Sequence, residues 1–183
     1  MACLIDQDRH WFAFRVKPRH EKAVLQALRS RQMEPYLPMY RSQRRWSDRV
    51  KEVELPLFGG YLFCKMEIGE RGHVLSVPGV RAVVGFGNIP AAIPDAQIGT
   101  VRQMEAAGLP MMPWPFLETG QLVRIQGGPL DGLEGTLAAG SDSWRVVVNV
   151  ELLQRGVAVT VERSQVFPLP NVQQLAHRSV AAS

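Results

Sequence analysis

The stretch Val123-Arg124-Ile125-Gln126-Gly127-Gly128-Pro129-Leu130-Asp131-Gly132-Leu133-Glu134-Gly135-Thr136-Leu137 alternates apolar residues on either side of a glycine-rich centre. It reads as two short strands, in which Gly128, Pro129, Gly132 and Gly135 permit a sharp turn and play an architectural part. Working outward, strands are expected at 121–126, 133–138, 144–150 and 157–162, with a last piece near 166. Five short, β-branched strands with tight turns make a small barrel over 119–170. Val146, Val147, Val148, Val150, Val157, Val159, Thr160 and Val161 lose rotamer freedom in a helix, so a β form is expected rather than a helical one. Residues 171–183 lack periodicity and read as a flexible tail.

Upstream, Pro110, Pro113 and Pro115 break any helix over 108–118, which reads as a proline-rich linker between two domains. Its Met111, Met112, Trp114 and Phe116 are apolar for a free tether, which points to partial packing on one domain. An ordinary loop of the first domain is the competing reading.

Residues 1–107 alternate between strand and helix patterns. Phe12, Phe14 and Val16 share one face of a strand that Pro18 ends, and Trp11, Ala13 and Arg15 share the other. Ala23, Val24, Ala27 and Leu28 recur at helical spacing over 19–32. A hairpin with a long basic tip is expected over 36–56, a buried strand over 57–66 and a short helix over 72–77. A strand over 80–86 and a helix over 93–107, with the stripe Ile98, Val101 and Met104, complete an α/β layer.

The 183 residues carry a formal charge of +4, with basic residues crowded into the first third. That balance favours a polyanionic partner. Cys3 and Cys64 are too few for a disulfide framework or a zinc site, and no metal or cofactor is implied. No apolar run reaches bilayer length, so a cytoplasmic, non-membrane, monomeric protein is expected. Catalysis finds no support: the four histidines lack ligand spacing, and no serine lies in a nucleophile elbow. Gly85-Phe86-Gly87 lacks the third glycine and downstream acid of a dinucleotide site. The chemistry to be expected is binding. The aromatic set Trp11, Phe58, Tyr61 and Phe63 admits two readings, strand core or an exposed docking cluster.

The block from Trp11 to Met66, with Pro56-Leu57-Phe58-Gly59-Gly60-Tyr61-Leu62-Phe63 within it, and the Val123–Leu137 segment together resemble the NusG family of transcription elongation factors. The likeness implies an α+β protein: an N-terminal NusG-type α/β sandwich domain, then a C-terminal KOW (SH3-like) β-barrel. It also implies a transcription elongation and antitermination factor whose first domain binds RNA polymerase. The polymerase-facing set would be Trp11, Phe58, Gly59, Gly60, Tyr61 and Phe63, with Gly59 where the family usually has proline. Lys17, Arg19, Arg29 and Arg31 would face the nontemplate DNA strand. A second DNA patch known in operon-specific paralogues falls on Val77 and Pro78, which offer no side-chain donors. The KOW partner, the ribosomal small-subunit protein NusE or the termination factor Rho, would meet Leu152 and Leu153. Resemblance further implies a specialised paralogue of the RfaH or UpxY type. The alternatives are a housekeeping member acting with Rho and a KOW-type RNA-binding or ribosome-associated protein.

Overall fold

A computed structural model describes residues 9–45, 50–116, 120–138 and 144–169. The chain divides into two compact units, 1–102 and 103–183. In the first, β1 (His10–Val16) leads into α1 (Glu21–Ser30), followed by β2 (Glu34–Tyr36), β3 (Met39–Arg45), β4 (Val50–Pro56) and β5 (Tyr61–Met66). After α2 (Arg71–Leu75) come β6 (Val80–Val83), β7 (Gly85–Phe86), β8 (Ile89–Pro90) and β9 (Ala92–Ile93), and then α3 (Asp95–Ala106).

The principal sheet runs β2-β5-β1-β6, with β9 also on β1. The alternation of β1 works as the sequence predicts. Phe12, Phe14 and Val16 join Leu62, Cys64 and Met66 of β5, and these pack with Val24 and Leu28 of α1 and with Val74 of α2. Ala23 is exposed, so the buried stripe of α1 is narrower than expected. The α3 stripe of Ile98, Val101 and Met104 is buried.

Three elements differ from expectation. The strand sought over 57–66 begins only at Tyr61, because 57–60 forms a turn in which Gly60 takes φ +82°. The strand sought over 80–86 stops at Val83, and Gly85–Phe86 pairs instead with Ile89–Pro90 in a small hairpin. Residues 34–36 add an unexpected strand on β5. The long hairpin is present as β3–β4, with Met39 opposite Pro56 and Arg45 opposite Val50. Its expected basic tip at 46–49, and the side chains of Arg44, Arg45 and Lys51, lie outside the described residues, as does the expected tail.

After the last residues of α3, the described part of the second unit is built of strands, joined in places by short 3-10 turns. β10 (Met111–Pro115), β11 (Gln121–Ile125), β12 (Glu134–Ala138), β13 (Trp144–Val150), β14 (Arg155–Val161) and β15 (Val166–Pro168) form one antiparallel sheet in the order β10-β14-β13-β12-β11-β15. Register places Val146, Val148, Val157 and Val159 on one buried face. Part of the segment expected as a linker is thus an edge strand: Met111 opposes Val159 and Pro115 opposes Arg155. Pro113 and Pro115 share one parity, so they remove donors from one side only, which an edge strand tolerates. Met112 and Trp114 pack on the opposite face against Ala138, Val147 and Ala158. Gly135 lies within β12 rather than in the turn, where a Cβ would meet Val147 O at 2.7 Å. The turn itself uses the positive φ of Gly128 and Gly132.

Candidate functional site

Trp11, Phe63 and Phe58 of the aromatic set are joined through the half-buried Tyr36 in one string of rings. Trp11 stacks edge-on to Tyr36 at 6.1 Å, Tyr36 lies 6.2 Å from Phe63, and Phe63 meets Phe58 edge-to-face at 5.5 Å. Trp11, Phe58 and Phe63 are buried, while Tyr61 is half-buried. The expectation of an exposed cluster is therefore corrected: burial of apolar rings on a sheet face outweighs display, and Tyr61 with Gly59 and Gly60 forms the accessible rim. One contributor was not legible in the sequence. The Arg102 guanidinium lies 4.7 Å from the Trp11 ring centroid and 4.8 Å from that of Tyr36, with Glu34 3.8 Å from it. A cation over two ring faces, paired with a carboxylate, pins this end of the string.

The rim turn is tied from beneath. Glu21 is buried, and its Oε1 accepts the Gly60 amide at 2.9 Å. The Val16 amide donates to Gly60 O at 2.8 Å and the Tyr61 amide to Phe58 O at 3.0 Å. A Cβ on Gly59 would meet nothing within 4 Å. That position is therefore sterically open.

The basic candidates do not form one group. Lys17 donates its amide to Gly79 O at 2.8 Å, and Arg31 Nη1 reaches His73 O and Ser76 Oγ, each at 2.7 Å. Both thus converge on the segment 73–79, where Val77 is buried and Pro78 exposed. Arg31 spends part of its donor capacity holding that segment. Arg19 is exposed with φ +65°, a left-handed conformation that costs a non-glycine residue about 1–2 kcal/mol. Arg29 occupies the last turn of α1, where a cation also complements the helix dipole.

In the second unit, Glu151–Leu153 form a single 3-10 turn closed by Gln154 at φ +50°. The adjacent leucines divide their roles there. Leu153 is buried and Leu152 is half-buried. Among the described residues, no group of three or more His, Cys, Asp or Glu could hold a metal ion. No helix there is long and apolar enough to cross a membrane.

Comparison with known proteins follows the same outline. The family described as transcription termination factor nusG matches residues 9–102, just over half of the 183. The chain is 29% identical over 141 residues to the transcription termination/antitermination protein NusG of Vibrio cholerae, covering 74% of each chain. It is 26% identical to the Helicobacter pylori NusG over 121 residues, 64% of this chain and 69% of that one. A solved structure of Thermotoga maritima NusG shares the fold, with a TM-score of 0.56 at 19% identity, covering 88% of this chain and 98% of that chain. With its first unit matched almost throughout and its C-terminal region built of strands, the chain belongs to the NusG family of transcription termination/antitermination proteins, which are not enzymes.

Proposed function

We propose that the protein is an elongation and antitermination factor that docks on RNA polymerase through the rim formed by Gly59, Gly60 and Tyr61, over the buried rings of Trp11, Phe58 and Phe63. The observation that carries this reading is the turn at 57–60, anchored by Glu21 at Gly60, which leads straight into the half-exposed Tyr61. A rigid, apolar platform beside a glycine that allows close approach suits a helix on a partner surface. Bound in this way, the first unit biases the polymerase against pause-linked rearrangements by its differential affinity for the two states. Retention of polymerase on the immobilised full-length protein tests it. Tyr61→Ala weakens retention severalfold, whereas undiminished retention by a folded variant removes the rim from the reading.

Lys17 and Arg31, assisted by Arg19 and Arg29, face the nontemplate DNA strand in the same reading. Its support is the convergence of Lys17 and Arg31 on the segment 73–79. The KOW unit recruits NusE or Rho through Leu152, the more accessible of the leucine pair, and the covalent tether raises that partner's local concentration. Gly59 in the docking turn and the short proline-rich 108–118 segment support a specialised paralogue over the housekeeping member, while the donor-free Val77 and Pro78 count against the DNA patch of operon-specific paralogues. Genome-wide occupancy distinguishes them: a few long operons for the specialist, all transcribed genes for the general factor.

A further inference from the structure

β10 is the first element after α3, and it lies at the end of its sheet, paired with β14 alone. Two of its five residues are prolines, so only Met111, Met112 and Trp114 have amide donors to offer. Much of its hold comes from side chains. Met112 and Trp114 pack on Ala138, Val147 and Ala158, and the Arg145 guanidinium lies 5.4 Å from the Trp114 ring centroid. Loss of β10 leaves untouched the register that β14 shares with β13, from Trp144 opposite Val161 to Val150 opposite Arg155. An edge element with few donors and one neighbouring strand opens at lower cost than the sheet it covers.

The far end of β10 reaches the turn that carries Leu152. Trp114 opposes Gly156 and Pro115 opposes Arg155, the two residues with which β14 begins. On their other side the same two residues pair with Asn149 and Val150, so the base of the Glu151–Leu153 turn is clasped between β13 and β10. The fit is close: a Cβ on Gly156 would meet Val147 Cγ1 at 2.8 Å, and Asn149 Oδ1 and Pro115 O at 3.1 Å each. Above that base the turn is closed by Gln154 at φ +50°, whose amide and side-chain Nε2 donate to Glu151 O at 3.0 and 2.9 Å. A left-handed conformation in a non-glycine residue persists where its surroundings over-determine it, and the three-strand base is that surrounding.

We propose that β10 is a releasable strap which, when paired, sets the geometry of the Glu151–Leu153 turn for the KOW partner, and which the binding of that partner in turn holds closed. Two sites joined by one two-state element are coupled equally in both directions. The strap is also the way into the strands of the second unit from α3. Its closed form leaves only residues 107–110 between helix and sheet, so capture of the partner shortens the tether. The inference rests on reading that turn as the recruitment surface, and goes beyond it by giving the surface a control.

The test uses the full-length protein carrying Cys3→Ser and the substitutions Pro115→Cys and Arg155→Cys at an exposed cross-strand pair. Oxidation locks the strap with a disulfide and reduction frees it, while the loss of Arg155 is common to both forms. The oxidised protein binds purified NusE, or purified Rho, about fivefold more tightly than the same protein reduced, and Trp114→Ala binds about fivefold more weakly than the wild type. Saturation with that partner slows amide exchange at Met112 and Trp114 of the wild type by a similar factor, as reciprocity requires. Where binding depends on Leu152, equal affinity of the oxidised and reduced forms, or unchanged exchange at Met112 and Trp114, overturns the control and leaves recruitment standing. No binding to either protein, or binding indifferent to Leu152→Ala, overturns the recruitment reading and the control with it.

Discussion

Glu21 and Gly60 are joined by a 2.9 Å hydrogen bond in which a buried carboxylate oxygen accepts a backbone amide, linking the first turn of α1 to the turn that precedes β5. The residues are 39 positions apart, so the bond couples a helix that carries basic candidates to the rim that carries Tyr61. Removing the carboxylate leaves a donor without its partner. Glu21→Ala should destabilise the first unit by about 1.5–3 kcal/mol, and Glu21→Gln, which keeps an acceptor, by less. Urea unfolding followed by tryptophan fluorescence measures both, and equal effects of the two substitutions would contradict the assignment.

The paired glycines should respond in opposite ways. Gly60 holds φ +82°, so Gly60→Ala is expected to cost about 1–2 kcal/mol. Gly59 has open space for a Cβ, and Gly59→Ala is expected to be neutral or stabilising by up to about 1 kcal/mol through the unfolded chain. Thermal melting ranks them. A Gly59→Ala variant as damaged as Gly60→Ala would show that the turn depends on both glycines.

Burial pushes the Cys64 thiol up from the ordinary value of 9.0 to about 12, and the thiol is fully enclosed in the core. The folded protein therefore keeps its proton where the unfolded chain releases it. Stability that is intact below pH 9 falls as pH rises between about 9 and 12, by up to about 1.4 kcal/mol per pH unit from this group. In a Cys3→Ser background, alkylation of Cys64 at pH 8 should be negligible until denaturant is added. Rapid labelling of the native protein would contradict its enclosure.

Trp114 lies across Val147 and Ala158, with Arg145 5.4 Å from its ring centroid. Trp114→Ala should lower the stability of the second unit by about 1–3 kcal/mol. It should also raise amide exchange in β14, because β10 then pairs less firmly. Unchanged exchange at 155–161 would show that the strand is held by its backbone alone.

Long, regular features were legible in the sequence. The alternation of β1, the Ile98, Val101 and Met104 stripe of α3, and the valine-rich β13 and β14 each repeat often enough to reveal a face. Shorter ones were not. β2, β7, β8 and β9 have two or three residues each, too few for any period to show. Met111–Pro115 read as a linker because proline argues against a central strand, yet on an edge it costs only outward donors. The stacking of Arg102 on Trp11 and Tyr36 joins residues distant in the chain, and its geometry left no local signal. The aromatic string was visible as composition, but which rings would be enclosed depended on packing that the sequence order does not encode.

The two prolines of β10 also bear on how copies of this protein behave together. A sheet edge with a full row of amide donors is a template for another strand, and association that begins there has no natural end. Here the last strand on one side carries Pro113 and Pro115, and the last on the other terminates at Pro168. Rings without N–H at both margins make the sheet a poor seed for edge-to-edge growth. The same residues that mark a break in the chain's regular structure thereby help keep crowded copies from joining into fibres.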